Sequence, residues 1–211
     1  MTPTLIETVR LRDGAAPLWY LHLRRLAASC KALGVPLPGE LLTPEGGPDR
    51  VHRLEVSRRG LRVSERPVAE TREVRLVVSA VRHEGYPHKT TDRDPFDRAL
   101  AEAHAVGADD GVLLTASGYV GEAAIWTLLW SEDGRVAAPP LALRILPSVA
   151  RARIEEVAEG IVERRVRPEE LRDLPLLVAN AVRGPVAVAT FAGHPVPRWP
   201  GFPELVERFW A

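Results

Sequence analysis

One side chain in the sequence stands out for its chemistry: Lys89, in the run His-Lys-Thr-Thr-Asp-Arg at 88–93. The chain has 28 basic residues, and removing its two lysines, Lys31 and Lys89, leaves 26 arginines. Arginine stays protonated in proteins and cannot serve as an amine nucleophile or base, whereas lysine can. Lys31 lies among helix-forming residues and is typical of a solvated helix position. Lys89 follows a strand-like run and Gly-Tyr-Pro, so a loop can present its amine, with a solvated loop lysine as the alternative.

Glu122 is a second candidate because the residues around it are small. It follows a strand-like run, with Gly121 before it and alanines after it. Small neighbours leave room for a flat ligand against the backbone. A carboxylate at this place could pair with a ring nitrogen and keep it protonated. The alternative is a surface glutamate on an edge strand.

Two segments offer backbone donors for an anion. Ser148, Val149 and Ala150 form the first turn of a predicted helix after a proline-ended loop. The N–H groups of such a turn suit phosphate. Ser148 could equally be an ordinary N-cap. Asn180 and Ala181, which follow a buried strand, could supply a second set of donors or form an ordinary turn.

Arginine side chains on the first predicted helix are further candidates for binding an anion. Arg24 and Arg25 follow His22 there, and a guanidinium can bind phosphate through paired hydrogen bonds. The alternative, in a chain so rich in arginine, is a solvated surface residue. The six histidines are not spaced with carboxylates or cysteine as metal ligands are, so no metal site is expected.

The composition narrows the class of protein. The formal net charge is zero, from 28 basic and 28 acidic residues. The basic residues are scattered, so nothing favours nucleic acid or an acidic membrane surface as a partner. The single cysteine, Cys30, excludes an internal disulfide and fits a reducing compartment. Without a basic start, an apolar signal core or a membrane-length apolar run, the sequence predicts a cytoplasmic protein.

Hydrophobic periodicity predicts two domains, over residues 1–80 and 81–211. The first is expected to be one helix on an antiparallel sheet, and the second to be α/β, with helices between strands. The specific expectations that the structure can test are strands over 5–12 and 17–20, a helix over 21–33 that ends at Gly34, a helix with Asp94 as N-cap and Pro95 at its first position, and a strand over 161–166.

Taken in order, six segments resemble the class IV aminotransferase family of pyridoxal-phosphate enzymes, and most closely its 4-amino-4-deoxychorismate lyase branch. The resemblance implies a fold-type IV enzyme with a small α+β N-terminal domain and a larger α/β C-terminal domain. The segments that carry it are Glu7-Thr-Val-Arg with Asp13-Gly14, His22-Leu-Arg-Arg-Leu, His88-Lys-Thr-Thr-Asp-Arg, Gly107 to Glu122, Pro139 to Arg151, and Asn180-Ala-Val-Arg-Gly.

The resemblance assigns a role to each candidate. Lys89 falls at the lysine that bonds the pyridoxal phosphate aldehyde, Arg25 at the arginine that holds the cofactor phosphate, and Glu122 at the glutamate that meets the pyridine nitrogen. The remaining cofactor-binding positions lie in the phosphate-binding helix start and the last active-site turn: Ser148, Val149, Ala150, Asn180 and Ala181.

Several positions depart from the family pattern, mostly through the loss of a hydroxyl group: Ala124, Thr127, Ser148, Ala150 and Ala181. Each lost hydrogen bond would weaken cofactor binding by about 1 kcal/mol. Backbone donors at Val149 and Ala150 would survive the changes.

The resemblance implies a homodimer that converts a small amino substrate. The leading expectation is a lyase that releases 4-aminobenzoate and pyruvate. The first alternative is a transaminase that acts on a small or branched-chain amino acid. The second is a degenerate member that only binds a ligand or a partner subunit, and the lost hydroxyls motivate it.

Overall fold

The computed structural model describes residues 3–70 and 72–211. They form two compact units. The first unit comprises residues 3–70, 88–92 and 181–183, and the second comprises 72–87, 93–180 and 184–211. The chain therefore first changes unit near residue 70, and the strand Val74–His83, which spans the expected boundary at residue 80, belongs to the second unit. Two later segments, 88–92 and 181–183, also belong to the first unit, so Lys89 and Ala181 lie in it.

The first unit is a three-stranded antiparallel sheet with one helix. Its elements are β1 (Leu5–Leu11), α1 (Trp19–Leu33), β2 (Arg50–Ser57) and β3 (Gly60–Arg66). The strand order is β1-β2-β3. Apolar residues of β1, α1 and β2 form its buried core, which includes Leu5, Leu26 and Val56. The prediction of one helix on an antiparallel sheet is confirmed.

The N-terminal end of α1 corrects one expectation. The predicted strand over 17–20 is wrong, because the helix already begins at Trp19. Trp19, His22 and Leu26 are all buried and recur at helical spacing, so the same apolar stripe continues through Trp19. The other end agrees with the sequence: Gly34 caps the helix in the left-handed conformation, with φ of 61°.

The second unit is built on a nine-stranded mixed sheet with three helices. Its strands are β4 (Val74–His83), β5 (Asp110–Thr115), β6 (Val120–Ala123), β7 (Thr127–Glu132), β8 (Arg135–Ala138), β9 (Val162–Glu163), β10 (Leu176–Asn180), β11 (Gly184–Phe191) and β12 (His194–Pro195). Its helices are α2 (Asp94–Ala105), α3 (Val149–Val157) and α4 (Phe202–Trp210), with 3-10 turns at Leu141–Leu143 and Pro168–Leu171.

The strand order is β6-β5-β4-β11-β10-β7-β8-β9, with β12 paired to β11. The pairs β4–β5, β4–β11 and β8–β9 are parallel, and the other pairs are antiparallel. The crossover through α2 joins the parallel strands β4 and β5. The predicted combination of a small α+β part and a larger part with helices and a sheet is confirmed.

Two local expectations in the second unit are corrected. The N-cap of α2 is Arg93, and Asp94 is the first helical residue, because the carbonyl of Arg93 already accepts the N–H of Asp97. The strand expected over 161–166 is only Val162–Glu163. The last hydrogen bond of the segment to β8 runs from the N–H of Arg164 to the carbonyl of Ala138, and the carbonyl of Val166 accepts the N–H of Val120.

Within residues 3–70 and 72–211, none of the helices has both the length and the apolar character that crossing a membrane requires.

Candidate active site

The residues expected to form a site are divided between the two units. The first unit holds Arg25, Lys89 and Ala181. The second holds Glu122, Ser148, Val149, Ala150 and Asn180. Each unit also contains one buried carboxylate with hydrogen-bond partners, Glu7 in the first and Glu122 in the second. The sequence analysis had given Glu7 no role.

Lys89 lies on a short segment that is bonded to β1. The N–H of Ile6 donates to the carbonyl of Lys89 at 2.8 Å, and the N–H of Thr91 donates to that of Thr4 at 2.9 Å. Between them, Leu5 and Thr90 form an antiparallel bridge. These bonds fix the backbone on both sides of Lys89. The residue itself is half-buried, which disagrees with a fully solvated loop lysine.

Glu7, His22 and Arg25 form what we call the Glu7 cluster. Arg25 grips the carboxylate with two hydrogen bonds, from Nε to Oε1 at 2.9 Å and from a terminal nitrogen to Oε2 at 2.6 Å. His22 Nδ1 meets Oε2 at 2.6 Å. Glu7 is only 2% exposed. The strand β1 supplies the acid and α1 supplies both bases, one helical turn apart.

Burial and charge act against each other in the Glu7 cluster. Burial would raise the pKa of Glu7, but the Arg25 charge and the hydrogen bonds from His22 and Arg25 lower it to about 2. Burial lowers the pKa of His22, and the charges of Arg25 and Lys89 act in the same direction against the opposing effect of Glu7.

The tautomer of His22 follows from its partner. An ionised carboxylate only accepts, so Nδ1 carries the proton that bonds Glu7. Nε2 is then a bare acceptor, and no described residue bonds to this buried atom. A buried polar atom without a partner is rare in a folded protein and points to a group that binds there. The first unit thus holds a buried acceptor and a guanidinium on the same carboxylate.

In the second unit, Glu122 ties three elements together through one oxygen. Its Oε1 accepts a hydrogen bond from His83 Nε2 at 2.9 Å and another from the N–H of Leu146 at 2.9 Å. No hydrogen bond from a described residue is directed at Oε2. Glu122 is 6% exposed, which is not the surface glutamate of the alternative interpretation. We call His83, Glu122 and Leu146 the Glu122 cluster.

The start of α3 follows Leu146 directly. Ser148 is the N-cap, and its Oγ accepts the N–H of Arg151 at 3.4 Å, so the N-cap interpretation is confirmed. The N–H groups of Val149 and Ala150 are then first-turn donors for which the helix offers no acceptor. Arg151 fixes this helix start, because its guanidinium bonds the carbonyl of Pro139 and the carboxylate of Glu163.

The turn after β6 is held by a buried acid that the sequence analysis missed. Asp110 accepts the N–H groups of Gly111, Ala124 and Ile125 at 2.7 to 3.1 Å. Burial raises the pKa of Asp110 to about 6, against these three hydrogen bonds and the charge of Arg93. Ala124, one of the positions that lack a hydroxyl group, is therefore anchored through its backbone.

Asn180 and Ala181 lie at the end of β10. Asn180 pairs with Gly184 of β11, and both Asn180 and Ala181 are half-buried. Among residues 3–70 and 72–211, no group of three or more His, Cys, Asp or Glu side chains could hold a metal ion.

Taken separately, the two units offer groups that suit particular parts of a ligand. In the first unit, the amine of Lys89 suits a carbonyl carbon and the guanidinium of Arg25 suits an anion. In the second unit, the first-turn N–H groups of α3 suit a phosphate. Oε2 of Glu122 suits a hydrogen bond from a protonated ring nitrogen. The neighbouring residue Gly121 lies close to the carbonyl oxygen of Leu113 and to the His83 ring.

The family model for amino-transferase class IV matches residues 53–191. The chain belongs to this family. No curated protein matches the chain.

Solved structures share the fold over almost the whole chain. A protein provisionally named 4-amino-4-deoxychorismate lyase is 26% identical, with a TM-score of 0.83, covering 100% of this chain and 91% of its own. A hypothetical aminotransferase from Mycobacterium tuberculosis in its PLP-bound form is 22% identical, with a TM-score of 0.86 and coverages of 100% and 89%. The branched-chain aminotransferase from Thermoproteus uzoniensis with norvaline is 20% identical, with a TM-score of 0.86 and coverages of 99% and 84%.

Proposed function

We propose that this protein is a pyridoxal-phosphate-dependent 4-amino-4-deoxychorismate lyase, which gives 4-aminobenzoate and pyruvate in folate biosynthesis. The observation that carries the proposal is the likeness to the structure provisionally named for that activity, at 26% identity over 100% of this chain. The family membership and the two buried carboxylate clusters support a cofactor-dependent enzyme in general.

Pyridoxal phosphate is the proposed cofactor, and it would supply an electron sink for the bond that breaks. Lys89 would bond its aldehyde carbon. Arg25 and the N–H groups of Val149 and Ala150 would hold its phosphate, with Ser148, Asn180 and Ala181 alongside. Glu122 would accept a hydrogen bond from the protonated ring nitrogen. The structure of the relative from Mycobacterium tuberculosis in a PLP-bound form supports the choice of cofactor.

In the proposed reaction, Lys89 also moves the proton. With pyridoxal phosphate bound as the electron sink, the amine of Lys89 would take the proton from the amine-bearing carbon of the substrate. The C–O bond to the enolpyruvyl group would then break, and the proton held by Lys89 would return to that group. Pyruvate would leave, and the ring would become aromatic.

The second candidate is an aminotransferase that acts on a small or branched-chain amino acid, and the family itself favours it. One experiment separates the two. The purified protein, loaded with pyridoxal phosphate, is given aminodeoxychorismate without any keto acid. A lyase releases pyruvate and 4-aminobenzoate over many turnovers, whereas an aminotransferase stops after one amino group has been transferred.

A degenerate, non-catalytic member is a third candidate, because several family hydroxyl groups are absent, at Ala124, Ala150 and Ala181. Such a protein would stay colourless and would retain no added pyridoxal phosphate on gel filtration. We further propose that the enzyme works as a cytoplasmic homodimer on a small amino substrate, with neither nucleic acid nor membrane as a partner. Light scattering should give twice the chain mass of 23.2 kDa.

A further inference from the structure

We propose that His83 is a positioning residue for the reaction: it holds the Glu122 carboxylate so that Oε2 faces the cofactor ring nitrogen. The inference rests on the proposed function, because it concerns how Glu122 meets that nitrogen. It is carried by a chain of hydrogen bonds within the second unit that runs from Gly85 through His83 to Glu122.

The hydrogen-bond chain has one direction. The N–H of Gly85 donates to His83 Nδ1 at 3.2 Å, so Nδ1 is an acceptor without a proton. The proton of the neutral ring is therefore on Nε2, and Nε2 donates to Glu122 Oε1 at 2.9 Å. The N–H of Leu146 donates to the same oxygen. Two donors on Oε1 fix the rotation of the carboxylate and leave Oε2 as the oxygen that can receive a ligand.

The His83 ring is itself held in place. Its side chain is 1% exposed, and the ring meets Phe96 edge to face, with centroids 6.0 Å apart and an interplanar angle of 81°. The ring also lies near Gly121, where an added Cβ would approach the ring to 3.6 Å and the carbonyl oxygen of Leu113 to 3.1 Å. Glycine at this position therefore keeps β6, the strand that carries Glu122, close to the ring.

A neutral donor suits this role better than a cation would. A lysine or arginine beside Glu122 would form an ion pair and offset the negative charge that a protonated ring nitrogen needs. The neutral imidazole orients the carboxylate and leaves its charge to the ligand. A purely structural contact would not need this polarity, because apolar side chains of similar size often stabilise a buried site as well as a polar pair does.

The test compares two ligands with three forms of the protein. Apo wild type, His83→Leu and His83→Gln are titrated with pyridoxal phosphate and with its 1-deaza analogue, in which carbon replaces the ring nitrogen. Dissociation constants are measured by equilibrium dialysis. Leucine removes the donor, and glutamine restores an N–H near the position of Nε2. Circular dichroism checks that each variant is folded, and His83→Asn, whose amide is too short to reach Oε1, replaces His83→Leu if that variant does not fold.

We expect the donor-lacking variant to bind pyridoxal phosphate about tenfold more weakly, as for the loss of one hydrogen bond to a charged group. Its affinity for the deaza analogue should stay within about twofold of wild type, and His83→Gln should recover most of the loss. An equal loss for both ligands, or no loss for either, would overturn the role of His83 while leaving the proposed function in place. If wild type binds neither ligand, the proposed function and this inference fail together.

Discussion

At the scale of single residues, Glu7 is a buried carboxylate in the first unit whose partners are basic side chains. Its carboxylate is 2% exposed and is paired with Arg25, whose side chain is 10% exposed. A buried pair of this kind adds little net stability compared with an apolar pair of similar size, but removing one of its two charges is strongly destabilising. A change at Glu7 therefore acts directly on Arg25, the residue to which the resemblance assigns the binding of the cofactor phosphate.

Glu7→Gln should therefore lower the free energy of unfolding by about 3 kcal/mol at neutral pH, because it removes the buried negative charge to which Arg25 and His22 are hydrogen-bonded. Urea unfolding measures the change. The matched control is Glu65→Gln, since Glu65 pairs with Arg50 at 2.8 Å but is 45% exposed. That change should have a much smaller effect on the free energy of unfolding, because solvent screens an exposed ion pair. Similar small losses for both variants would contradict the buried role of Glu7.

At the scale of elements, the acid Asp110 joins the start of β5 to the turn that follows β6. Burial raises its pKa from 3.8 to about 6, so the folded protein holds this proton more tightly than the unfolded chain does. The resulting stability is fully present below pH 3.8 and is lost as the pH rises through about 6. Glu122 lies on the same strand pair, so the same acid helps to align it.

Between about pH 4 and about pH 7, wild type should lose about 2 kcal/mol of stability relative to Asp110→Asn. Urea unfolding at a series of pH values gives the difference. Asp109→Asn serves as the control, because the hydrogen bond from Arg75 lowers the pKa of Asp109, and its contribution is lost only at lower pH. A difference between wild type and Asp110→Asn that does not change with pH would rule out the raised pKa.

The contact between α2 and β5 depends on a residue without a side chain. A Cβ at Gly111 would come within 2.6 Å of the carbonyl oxygen of Ala99, and neither backbone can move without separating helix and sheet. We expect Gly111→Ala to destabilise the protein by about 1–3 kcal/mol in thermal or urea unfolding. At Gly39, where an added Cβ meets nothing within 4 Å, the same substitution should be nearly neutral. Equal effects at the two glycines would show that the helix does not pack this closely.

At the scale of the whole molecule, the sequence was sufficient for features that are local. Gly34 ends α1 as predicted, and Ser148 is the predicted N-cap, because each depends on a few neighbouring residues. Trp19 was misplaced because its short apolar run fits a strand as well as a helix.

Neighbouring residues in the sequence could not identify the hydrogen-bond partners of the two buried carboxylates. Glu7 meets His22 and Arg25, and Glu122 meets His83, which is 39 residues away along the chain. Such pairs are created by strand order and burial, and no spacing in the sequence marks them. One feature of the sequence pointed to such a partner: Glu7 is an acidic residue at a position where the alternation of the strand predicts a buried side chain.

The most direct test of the whole account uses the scarcity of lysine. The protein is incubated with pyridoxal phosphate, reduced with borohydride, digested and analysed by mass spectrometry. Only Lys31 and Lys89 carry a side-chain amine, so the modified peptide identifies the reactive one. The account predicts a reduced pyridoxyl adduct on Lys89 that persists in Lys31→Arg and disappears in Lys89→Arg. An adduct confined to Lys31, or no adduct at all, would contradict it.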